Sequence, residues 1–552
     1  MLRWLRPFGR WIVPALQGWL GTTLSLAFLA VFIGCGSEPA PLEPVLAGGE
    51  KPAKKKLPAP GLEGGTDWLN VSAPLSLEDL RGRIVVLDFW TLCCINCIHT
   101  LPDLAKLEAK YPGILVVLGV HTPKFENEKL TESIRKAVLR YEVKHPVVND
   151  ADMKIWRRYG VRSWPTLVLI DPDGNYYGTI SGEGACEVLD QHIEKLAKEY
   201  RAKKMLKEEP INFALIKEKD DTPLYFPGKV LADAASNRLF IADSTHHRIV
   251  ITTLDGKKVA IAGGGTAGNK NGSFEEARFA DPQGMALVGD TLYVADRKNH
   301  QIRALDLAKQ TVKTVAGIGE QDRDSRAGGG PALKTGLNSP WDLLPYNGKI
   351  FIAMAGHHQI WTFDPAKSRV DPFAGNGRED LDDGPLAQSS FAQPSGLTSD
   401  GQFLYVADSE VSAIRAVPID GKGDVKTLVG EGLFEFGDEV GKGKKVRLQH
   451  ALGVAARGGK LYVADTYNSK IKLITPDLAN PGNSECQTFL GDPPGWLKAK
   501  MFNEPGGLSF AGDKLYVADT NNHRIRVVDM NTKETITLNL QGVEPPRREK
   551  KK

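Results

Sequence analysis

The stretch that decides the fold of the N-terminal part of the chain is IVVLDFWTLCCINC, residues 84–97. Ile84–Phe89 is an apolar run broken only by Asp88, which is typical of a buried β-strand. Two cysteines, Cys94 and Cys97, follow directly, with two residues between them. A C-x-x-C pair placed where a buried strand turns into a helix predicts a thiol–disulfide site.

The predicted chemistry follows from the position of Cys94 at the start of that helix. The positive end of the helix dipole stabilises a thiolate there and so makes a nucleophile. The two-residue spacing lets the sulfur of Cys97 reach Cys94 and resolve a mixed disulfide. We therefore predict that Cys94 attacks and Cys97 resolves, and that their redox-active disulfide serves in place of any bound cofactor.

The remaining cysteines leave alternatives open. A zinc site would need two more ligands, usually a second C-x-x-C pair or two histidines at helical spacing, and the sequence has neither, so no metal is predicted. Cys93 is either a structural thiol or an alternative partner for Cys97. Cys186 and Cys486 are isolated in the sequence and are interpreted as inert buried thiols, with a bridge between them as the alternative.

Outward from this motif, residues 66–205 alternate between strand and helix patterns. Buried apolar runs predict strands at 84–89, 114–120 and 166–170, and helical spacing predicts helices at 101–111, 131–142 and 187–200. Strands that alternate with helices indicate an α/β domain built on one sheet.

Two segments around the cysteines resemble the thioredoxin family. Residues 87–90 resemble the segment before the thioredoxin active site, and YGVRSWPT, residues 159–166, resembles its cis-proline loop. The resemblance implies that Asp88 is a buried acid that assists proton transfer from the resolving cysteine. It implies that Pro165 is a cis proline beside the bound substrate chain. The implied substrate-binding residues are Trp90, Trp164 and Thr166.

Residues 89–125 are closer still to TlpA-like domains and to the thiol-exchange domain of DipZ-type proteins. The similarity is carried by CCINC at residues 93–97 and GVHTP at residues 119–123. Two departures are present, because Cys93 stands where thioredoxin has a tryptophan and Ile95-Asn96 replaces Gly-Pro. The dipeptide between the cysteines tunes the redox potential, so the sequence does not assign the direction of exchange.

From residue 225 onward the sequence becomes a repeat. Its marker is an apolar-Ala-Asp tripeptide that recurs in steps of 53 to 58 residues. Its last residue is Asp243, Asp296, Asp408, Asp465 and Asp519, with Met354 in the remaining slot. A proline fourteen residues earlier recurs as Pro282, Pro340, Pro394 and Pro505, and Ala451 replaces it once. Units of this length, with short strands and glycine turns, match propeller blades.

This array resembles the NHL-repeat family over residues 223–541, and six copies imply an all-β, six-bladed propeller. Histidines and arginines recur at one blade position, and we expect them to be structural because catalysis needs a single copy. We expect the run at 211–216 to supply the closing strand. With the first domain included, residues 66–541 resemble the thioredoxin-like proteins that carry NHL repeats.

The first 35 residues predict export from the cytoplasm. Arg3, Arg6 and Arg10 precede an apolar stretch, residues 11–33, that runs into FIGC at residues 32–35. The ending resembles the lipobox of bacterial lipoproteins, which implies lipidation of Cys35, although Phe32 stands where leucine is usual. A plain signal peptide and a single membrane anchor are the alternatives. All three interpretations place the chain on the periplasmic side of the cell envelope, where disulfides persist.

These observations predict the following organisation of the chain. The parts are a lipoprotein signal peptide (1–35), a flexible Pro- and Lys-rich linker (36–62), a thioredoxin-like domain (63–205), a propeller (206–545) and a basic tail (546–552). A net charge of +3 on 552 residues argues against a nucleic-acid binder, which would concentrate basic charge.

The function that this sequence favours is a thiol–disulfide oxidoreductase for protein or peptide disulfides outside the cytoplasm. The propeller is expected to bind a partner, the lipid to hold the chain at the membrane, and the electron donor is not identified by the sequence. One alternative is an interaction protein whose thioredoxin-like domain turns over slowly. Another is a copper-delivery protein in which His121 joins Cys94 and Cys97, although thioredoxin-fold copper chaperones usually have three residues between the cysteines.

Overall fold

The computed structural model describes residues 56–218, 221–326, 328–491 and 501–546. The predicted signal peptide, Cys35 and most of the predicted linker and basic tail lie outside these ranges. Within them, none of the helices is both long enough and apolar enough to cross a bilayer.

The first domain is a six-stranded sheet with helices packed on it. Its strands are β1 (Asp67–Leu69), β2 (Ile84–Trp90), β3 (Leu115–His121), β4 (Val147–Asn149), β5 (Thr166–Ile170) and β6 (Tyr176–Ser181). Its helices are α1 (Ile95–Lys110), α2 (Thr131–Arg140), α3 (Lys154–Tyr159) and α4 (Cys186–Ala202). The strand order is β1-β4-β3-β2-β5-β6, in which β2, β3 and β4 are parallel and the other neighbours are antiparallel.

Strand β2 is buried along its whole length because both faces of the sheet are covered. Ile84 and Val86 pack in the layer that contains residues of α1 and α4, whereas Val85, Leu87 and Phe89 pack in the layer that contains α3. Successive side chains of a strand point to opposite faces, so a doubly covered strand reads as a continuous apolar run. This arrangement places the cysteine loop at the end of a central strand.

The predicted α/β domain is confirmed, and the predicted strands and helices lie within a few residues of the observed ones, except that α1 begins six residues earlier than the predicted helix. The strands β1 and β4, with three residues each, and the six-residue helix α3 were not predicted, because segments this short show no periodicity. Strand β6 was not predicted either, because most of its side chains are not buried and it contains no apolar run.

The borders of the first domain extend beyond the predicted ones. Residues 56–62, assigned by the sequence to the linker, lie on the domain: Lys56 Nζ is 2.8 Å from Asp171 Oδ2, and the Ala59 amide donates to the Gly174 carbonyl at 3.0 Å. The expectation that residues 211–216 close the propeller is wrong. They form no strand, and Ile211 and Phe213 pack against the first domain, where their apolar side chains find a core.

In the part of the chain that the structure describes, six antiparallel sheets follow the first domain, one for each predicted repeat. Blade 1 contains β7 (Lys229–Asp233), β8 (Arg238–Asp243), β9 (Arg248–Thr253) and β10 (Lys258–Ala262). Blade 2 contains β11 (Gly272–Ser273), β12 (Pro282–Val288), β13 (Thr291–Asp296), β14 (Gln301–Asp306) and β15 (Thr311–Ala316). Blade 3 contains β16 (Gly330–Pro331), β17 (Pro340–Tyr346), β18 (Lys349–Met354), β19 (Gln359–Asp364) and β20 (Arg369–Ala374).

The other three blades repeat this plan. Blade 4 contains β21 (Gly384–Pro385), β22 (Pro394–Ser399), β23 (Phe403–Asp408), β24 (Ala413–Pro418) and β25 (Asp424–Val429). Blade 5 contains β26 (Gly441–Lys442), β27 (Gly453–Arg457), β28 (Lys460–Asp465), β29 (Lys470–Thr475) and β30 (Glu485–Leu490). Blade 6 contains β31 (Pro505–Ala511), β32 (Lys514–Asp519), β33 (Arg524–Asp529) and β34 (Thr535–Thr537). The predicted six-bladed propeller is confirmed.

The repeated aspartate fixes the loop that precedes its own blade. In blades 2, 4, 5 and 6 one carboxylate oxygen accepts, at 2.7 Å, the backbone amide sixteen residues earlier. In blade 3 the sulfur of Met354 accepts the Asn338 amide instead, at 3.4 Å. A buried amide needs an acceptor, which explains why this position of the repeat is retained.

The ring of blades is closed by the end of the chain. The Lys258 amide at the outer edge of blade 1 donates to the Gln541 carbonyl at 3.0 Å, and the Gln541 amide donates to the Gly256 carbonyl at 2.9 Å. In blades 2 to 5 a short outermost strand takes the corresponding place. Between the inner strands, the Thr520 hydroxyl of blade 6 donates to the Pro227 carbonyl at 2.8 Å.

Neighbouring blades are also tied by a ring of side chains, which we call the latch ring. In each blade one residue accepts a backbone amide from the next blade, at donor–acceptor distances of 3.0 to 3.5 Å. The latch ring consists of His247, His300, His358, Ser412, Ser469 and His523. The expectation that the recurring histidines are structural is therefore confirmed.

The amides that the latch ring accepts belong to a second set of residues, which we call the docking ring. It consists of Phe226, Asp281, Ser339, Gln393, His450 and Glu504, each of which directly precedes the repeated proline or Ala451. All six have φ between 49° and 60°, so the same tight turn presents each side chain. The chemical character of the docking ring differs from blade to blade, and five of its members contact the first domain.

Candidate thiol–disulfide site

The cysteine loop lies between the end of β2 and the start of α1. Cys94 is the residue that caps α1, and the first turn of the helix contains no acidic side chain that would oppose a thiolate. Cys94 is partly exposed, whereas Cys93 and Cys97 are buried, and all three are free thiols. An approaching disulfide therefore meets Cys94 before it meets either of the others.

The two cysteines of the pair differ in the charge they can carry. Burial raises the pKa of the Cys97 thiol well above its ordinary value, and a hydrogen bond with Cys94 raises it further. Cys97 therefore stays protonated and shares its proton with the Cys94 sulfur. This arrangement fits the predicted roles, in which Cys94 attacks first and Cys97 waits as the resolving thiol.

Asp88 lies inside β2, and neither of its carboxylate oxygens has a hydrogen-bond partner within the described residues. Burial raises its pKa to about 7, an effect that His145 partly opposes. Its charge in turn raises the pKa of Cys97, so the two groups interact. An unpaired buried carboxyl group is costly to keep, and one that titrates near neutral pH beside a resolving thiol can accept its proton.

The proline loop lies next to the cysteine loop because β5 pairs with β2 in the sheet. The bond between Trp164 and Pro165 is cis. Trp164 is half-buried, its indole nitrogen donates to Thr122 Oγ1 at 2.6 Å, and its ring packs in the same cluster as the three cysteines. Thr166 is buried, and its hydroxyl donates to the Ser163 carbonyl at 2.8 Å, which stabilises the loop.

The prediction that Trp90 binds substrate is not supported by its position. Trp90 is the last residue of β2 and is fully buried, with its ring packed edge-on against His121 at 5.0 Å between centroids. A strand covered on both faces leaves its side chains no route to a ligand, so Trp90 packs the core beneath the site. Of the three predicted substrate-binding residues, only Trp164 is partly exposed.

Cys93 lies in a carboxylate-rich setting. Its amide donates to Glu128 Oε1 at 3.0 Å, and burial, Glu128 and Glu410 raise the pKa of its thiol well above the ordinary value. A neutral thiol is a poor nucleophile, so the geometry favours the structural interpretation of Cys93. Glu128 also accepts the Thr91 hydroxyl at 2.7 Å and thereby holds the cysteine loop.

His121 lies beside the cysteine loop, and its Nδ1 atom has no hydrogen-bond partner among the described residues. Its Nε2 atom accepts the Leu92 amide at 3.2 Å, and burial lowers its pKa to about 3, so the ring is neutral. Among the described residues, no three His, Cys, Asp or Glu side chains are grouped as metal ligands would be.

The propeller reaches the cysteine loop directly, which the sequence did not predict. The side-chain amide of Gln393 accepts the Ile95 amide at 2.8 Å and donates to the Cys93 carbonyl at 3.1 Å. The side chain of Ile95 is buried with Trp341, Ala355 and Leu452 of the propeller.

Three more contacts surround this point. His99 Nε2, on α1, is 2.7 Å from the Ser339 hydroxyl, and Arg140 pairs with Glu504 at 2.9 Å. Lys124 forms a buried ion pair with Glu410. The residues next to the recurring proline, or to Ala451, differ from blade to blade, and nothing in the sequence indicated that they face the first domain.

Comparisons with known proteins agree with both domains. Residues 82–176 match the family described as thioredoxin-like, and residues 279–305 and 502–528 match the NHL repeat. The chain is 31% identical over 122 residues to the thiol-disulfide oxidoreductase ResA of Bacillus thuringiensis, which covers 22% of this chain and 68% of that protein. The first domain is therefore similar to known thiol–disulfide oxidoreductases.

Two relatives match across both domains. The chain is 44% identical over 511 residues to Protein SUPPRESSOR OF QUENCHING 1, chloroplastic, of Arabidopsis thaliana, which covers 87% of this chain and 48% of that protein. This chain thus spans about half the length of the plant relative. It is 42% identical over 521 residues to NHL repeat-containing protein 2 of Gallus gallus, which covers 87% of this chain and 71% of that protein. With a thioredoxin-like domain followed by a six-bladed NHL propeller, this chain belongs to the family of NHL repeat-containing protein 2.

Proposed function

We propose that this chain is an enzyme that exchanges thiols and disulfides on proteins or peptides. The observation that carries the proposal is the combination of a partly exposed Cys94 at the start of α1, a protonated Cys97 hydrogen-bonded to it, and the unpaired Asp88 carboxyl group beside Cys97. Together these features suit a two-step exchange, and a purely structural domain needs none of them.

In the reductive direction the exchange has two steps. The Cys94 thiolate attacks one sulfur of the substrate disulfide, the substrate S–S bond breaks, and the other substrate sulfur leaves as a thiolate that takes up a proton. Cys97 then gives its proton to Asp88 and attacks the Cys94 sulfur. The mixed disulfide breaks, the substrate leaves as a dithiol, and the enzyme holds a Cys94–Cys97 disulfide. A separate dithiol donor reduces it again, and the oxidative direction reverses these steps.

The substrate chain would lie along the loop of Trp164 and the cis Pro165, next to Cys94. Strand β5, which follows this loop, pairs with β2, so the loop lies next to the cysteine loop, and we place the extended substrate chain along its backbone. Recognition through backbone groups is tolerant of sequence, which suits an enzyme that acts on protein or peptide disulfides.

The proposed location is the periplasmic side of the cell envelope, with the lipidated Cys35 as the membrane anchor. Support comes from the basic and apolar pattern of residues 1–35. The proposed chemistry also fits this location, because disulfides form and persist in oxidising compartments. Cys35→Ser is expected to release the protein from the membrane fraction. Retention of the variant in that fraction would mean that the apolar stretch is an uncleaved anchor.

We also propose that the propeller binds the protein partner through its rim, that is, through the outer strands of the blades and the loops that connect them. The docking ring that faces the first domain is already occupied within the chain, through Ser339, Gln393, Glu504 and their neighbours. The outer strands with their connecting loops lie outside the docking ring, as does the central cavity lined by the inner strands at Val230, Leu343 and Leu508, and we assign partner binding to the outer strands and loops. A partner held there would have its disulfide at a raised local concentration near Cys94.

One observation favours the second candidate, an interaction protein with slow turnover. Ile95 and His99, which follow the nucleophile, are buried against the propeller, so the site is less open than an isolated thioredoxin-like domain would be. Access to Cys94 is therefore the property that separates the two candidates.

The test is the reduction of a small disulfide and of a protein disulfide by the full chain in the presence of a dithiol. The parent is expected to exceed the dithiol background on both, and Cys94→Ser and Cys97→Ser are expected to return to it. Cys186→Ser is the matched control, because Cys186 lies at the start of α4, away from the pair, and should keep parental activity. A parent no faster than Cys94→Ser would support the interaction protein and end the enzymatic proposal.

A further inference from the structure

The side chain of Gln393 is the closest link between the propeller and the reacting cysteine. Its Oε1 atom accepts the amide of Ile95 at 2.8 Å, and its Nε2 atom donates to the carbonyl of Cys93 at 3.1 Å. Cys93 and Ile95 are the two chain neighbours of Cys94. One fully buried carboxamide, from a residue 298 positions further along the chain, therefore holds the backbone on both sides of the nucleophile.

Gln393 is itself fixed by the propeller. Its own amide donates to Nδ1 of His358, a latch-ring residue of the preceding blade, at 3.1 Å. Pro394 follows directly and begins β22, and the backbone of Gln393 has a φ of 60°. The backbone of Gln393 is therefore held by the propeller, and its carboxamide reaches out from there to the cysteine loop.

The amide that Gln393 occupies has a particular position in the helix. Ile95 is the first residue of α1, and the first amides of a helix have no acceptor within the helix. These amides are the source of the positive charge that stabilises a thiolate at the helix start. The side chain of Cys94 makes no capping hydrogen bond to them in this structure. A capping side chain reaches the second or third amide of a helix, so Gln393 does not compete with Cys94 for the same donor. It saturates the first amide, that of Ile95, and its carboxamide oxygen thereby offsets part of the positive charge at the helix start.

We propose that Gln393 is a positioning residue for the redox pair, through which the propeller sets the reactivity of Cys94. It fixes the loop geometry around Cys94 and offsets part of the positive charge that the Ile95 amide contributes beside the sulfur. The biological meaning of this inference rests on the proposed exchange reaction, whereas the effect on the thiol does not require turnover.

The measurement is the rate at which Cys94 is alkylated in the reduced full chain, followed as a function of pH, with the labelled peptide identified by mass spectrometry. Gln393→Ala removes the carboxamide oxygen, so the Ile95 amide contributes more of its positive charge at the helix start. The midpoint of the pH profile should fall by about half to one pH unit, and alkylation below the midpoint should accelerate about three- to tenfold. The dithiol form should be favoured over the disulfide by a similar factor in equilibrium with glutathione.

Gln393→Glu should shift the midpoint in the opposite direction, with a side chain of nearly the same shape. A carboxylate at this place repels the thiolate, so the midpoint should rise and alkylation should slow. A midpoint, unlike a rate at one pH, is not moved by a simple gain of access to the sulfur. Opposite shifts in the two variants would therefore support the proposal, and shifts of the same sign would overturn it.

Gln449→Ala is the matched control. Gln449 also accepts a backbone amide of the first domain, that of Asn127 at 3.0 Å, but it does not contact the neighbours of Cys94. Its loss weakens docking to a similar degree and should leave the midpoint unchanged. If Gln449→Ala shifts the midpoint as much as Gln393→Ala, or if Gln393→Ala shifts nothing, the proposed role is wrong. A shifted midpoint in a chain without exchange activity would end the proposed function and keep this inference.

Discussion

The two domains use their buried polar residues in opposite ways. In the propeller the latch ring and the repeated aspartates occur once per blade or nearly so, and each satisfies a backbone amide. In the first domain Cys94 and Asp88 occur once, and the carboxyl oxygens of Asp88 satisfy no backbone group among the described residues. Single unpaired buried atoms occur in both domains, but Asp88 is the described residue whose two carboxyl oxygens both lack a partner. The difference teaches that repetition marks the scaffold, whereas a fully unpaired carboxyl group marks chemistry.

The docking ring shows what happens where the repeat diverges. Its backbone is uniform, with the same positive φ in all six blades, but its side chains differ, and Gln393, Ser339 and Glu504 each contact a different part of the first domain. The two domains are therefore not independent modules joined by a linker. The thioredoxin-like domain contacts the docking ring, whose residue type differs from blade to blade, and also His300 of the latch ring, whose ring packs edge-on against His99 at 5.7 Å between centroids.

The largest effect is expected on the rate of disulfide exchange when two cysteines of the first domain, Cys94 and Cys93, are compared. Cys94→Ser should lower disulfide exchange by a thousandfold or more, roughly the loss that follows removal of a nucleophile. Cys93→Ser should cost less than about threefold, because its thiol is neutral and buried between carboxylates. Exchange rates with one small disulfide measure both. A Cys93→Ser variant as slow as Cys94→Ser would make Cys93 a participant.

A buried ion pair tests the scaffold side of the comparison. Arg415 is fully buried, donates to Asp408 Oδ2 at 3.0 Å and stacks on Phe391 at 5.0 Å. Arg415→Met leaves the carboxylate unpaired and should lower the free energy of unfolding by about 3 to 5 kcal/mol in chemical denaturation, with exchange activity intact at low temperature.

Arg526 is the control for this variant. It occupies the same position of the repeat in blade 6, seven residues after the aspartate, but it is partly exposed and donates to Thr537 Oγ1 at 2.7 Å instead. Arg526→Met should lower the free energy of unfolding by less than about 1 kcal/mol. Equal losses in the two variants would mean that the repeat position itself, and not the buried pair, stabilises the blade.

Much of the fold could be predicted from the sequence because it depends on local patterns. The doubly buried strand β2 and the six aspartate or methionine markers are visible as runs and periods. The residues around Cys94 that belong to the propeller could not be predicted, because Gln393 and Ile95 are about 300 positions apart and no pattern links them. The burial of Trp90 could not be predicted for a related reason, because it depends on which parts of the chain cover the end of the strand.

Asp88 gives the next effect, which is smaller and depends on pH. Asp88→Asn removes the group that accepts the Cys97 proton and should slow resolution of a mixed disulfide by about ten- to a hundredfold at pH 8. In the parent, resolution should accelerate as the pH rises through about 7, where Asp88 ionises, and the variant should lack this step. Stopped-flow decay of a preformed mixed disulfide on Cys94 provides the measurement, and identical pH profiles would exclude the role.

The same substitution should stabilise the protein at high pH. The folded-state pKa of Asp88, about 7, lies above the ordinary value of 3.8, so the unfolded chain loses this proton first as the pH rises. The stability of the parent therefore falls between about pH 4 and pH 7 and stays low above that. Asp88→Asn should raise the free energy of unfolding by about 2 to 4 kcal/mol at pH 8 and change it little at pH 4. A variant that is less stable at pH 8 would show that the carboxylate is paired in solution.

The smallest effect is expected when the same change, serine to alanine, is made once in each ring of the propeller. Ser412, in the latch ring, accepts the His450 amide at 3.2 Å, and Ser339, in the docking ring, is 2.7 Å from His99 Nε2. Each serine-to-alanine change removes one buried hydrogen bond and should cost about 1 kcal/mol. The place of the loss should differ, since Ser412 ties two blades and Ser339 ties the propeller to α1. Hydrogen exchange should quicken around residue 450 in Ser412→Ala and in the first turns of α1 in Ser339→Ala. If hydrogen exchange quickened in the same segments in both variants, the latch ring and the docking ring would belong to one cooperative unit. The contrast between repeated and single-copy residues would then apply only to the thiol–disulfide site.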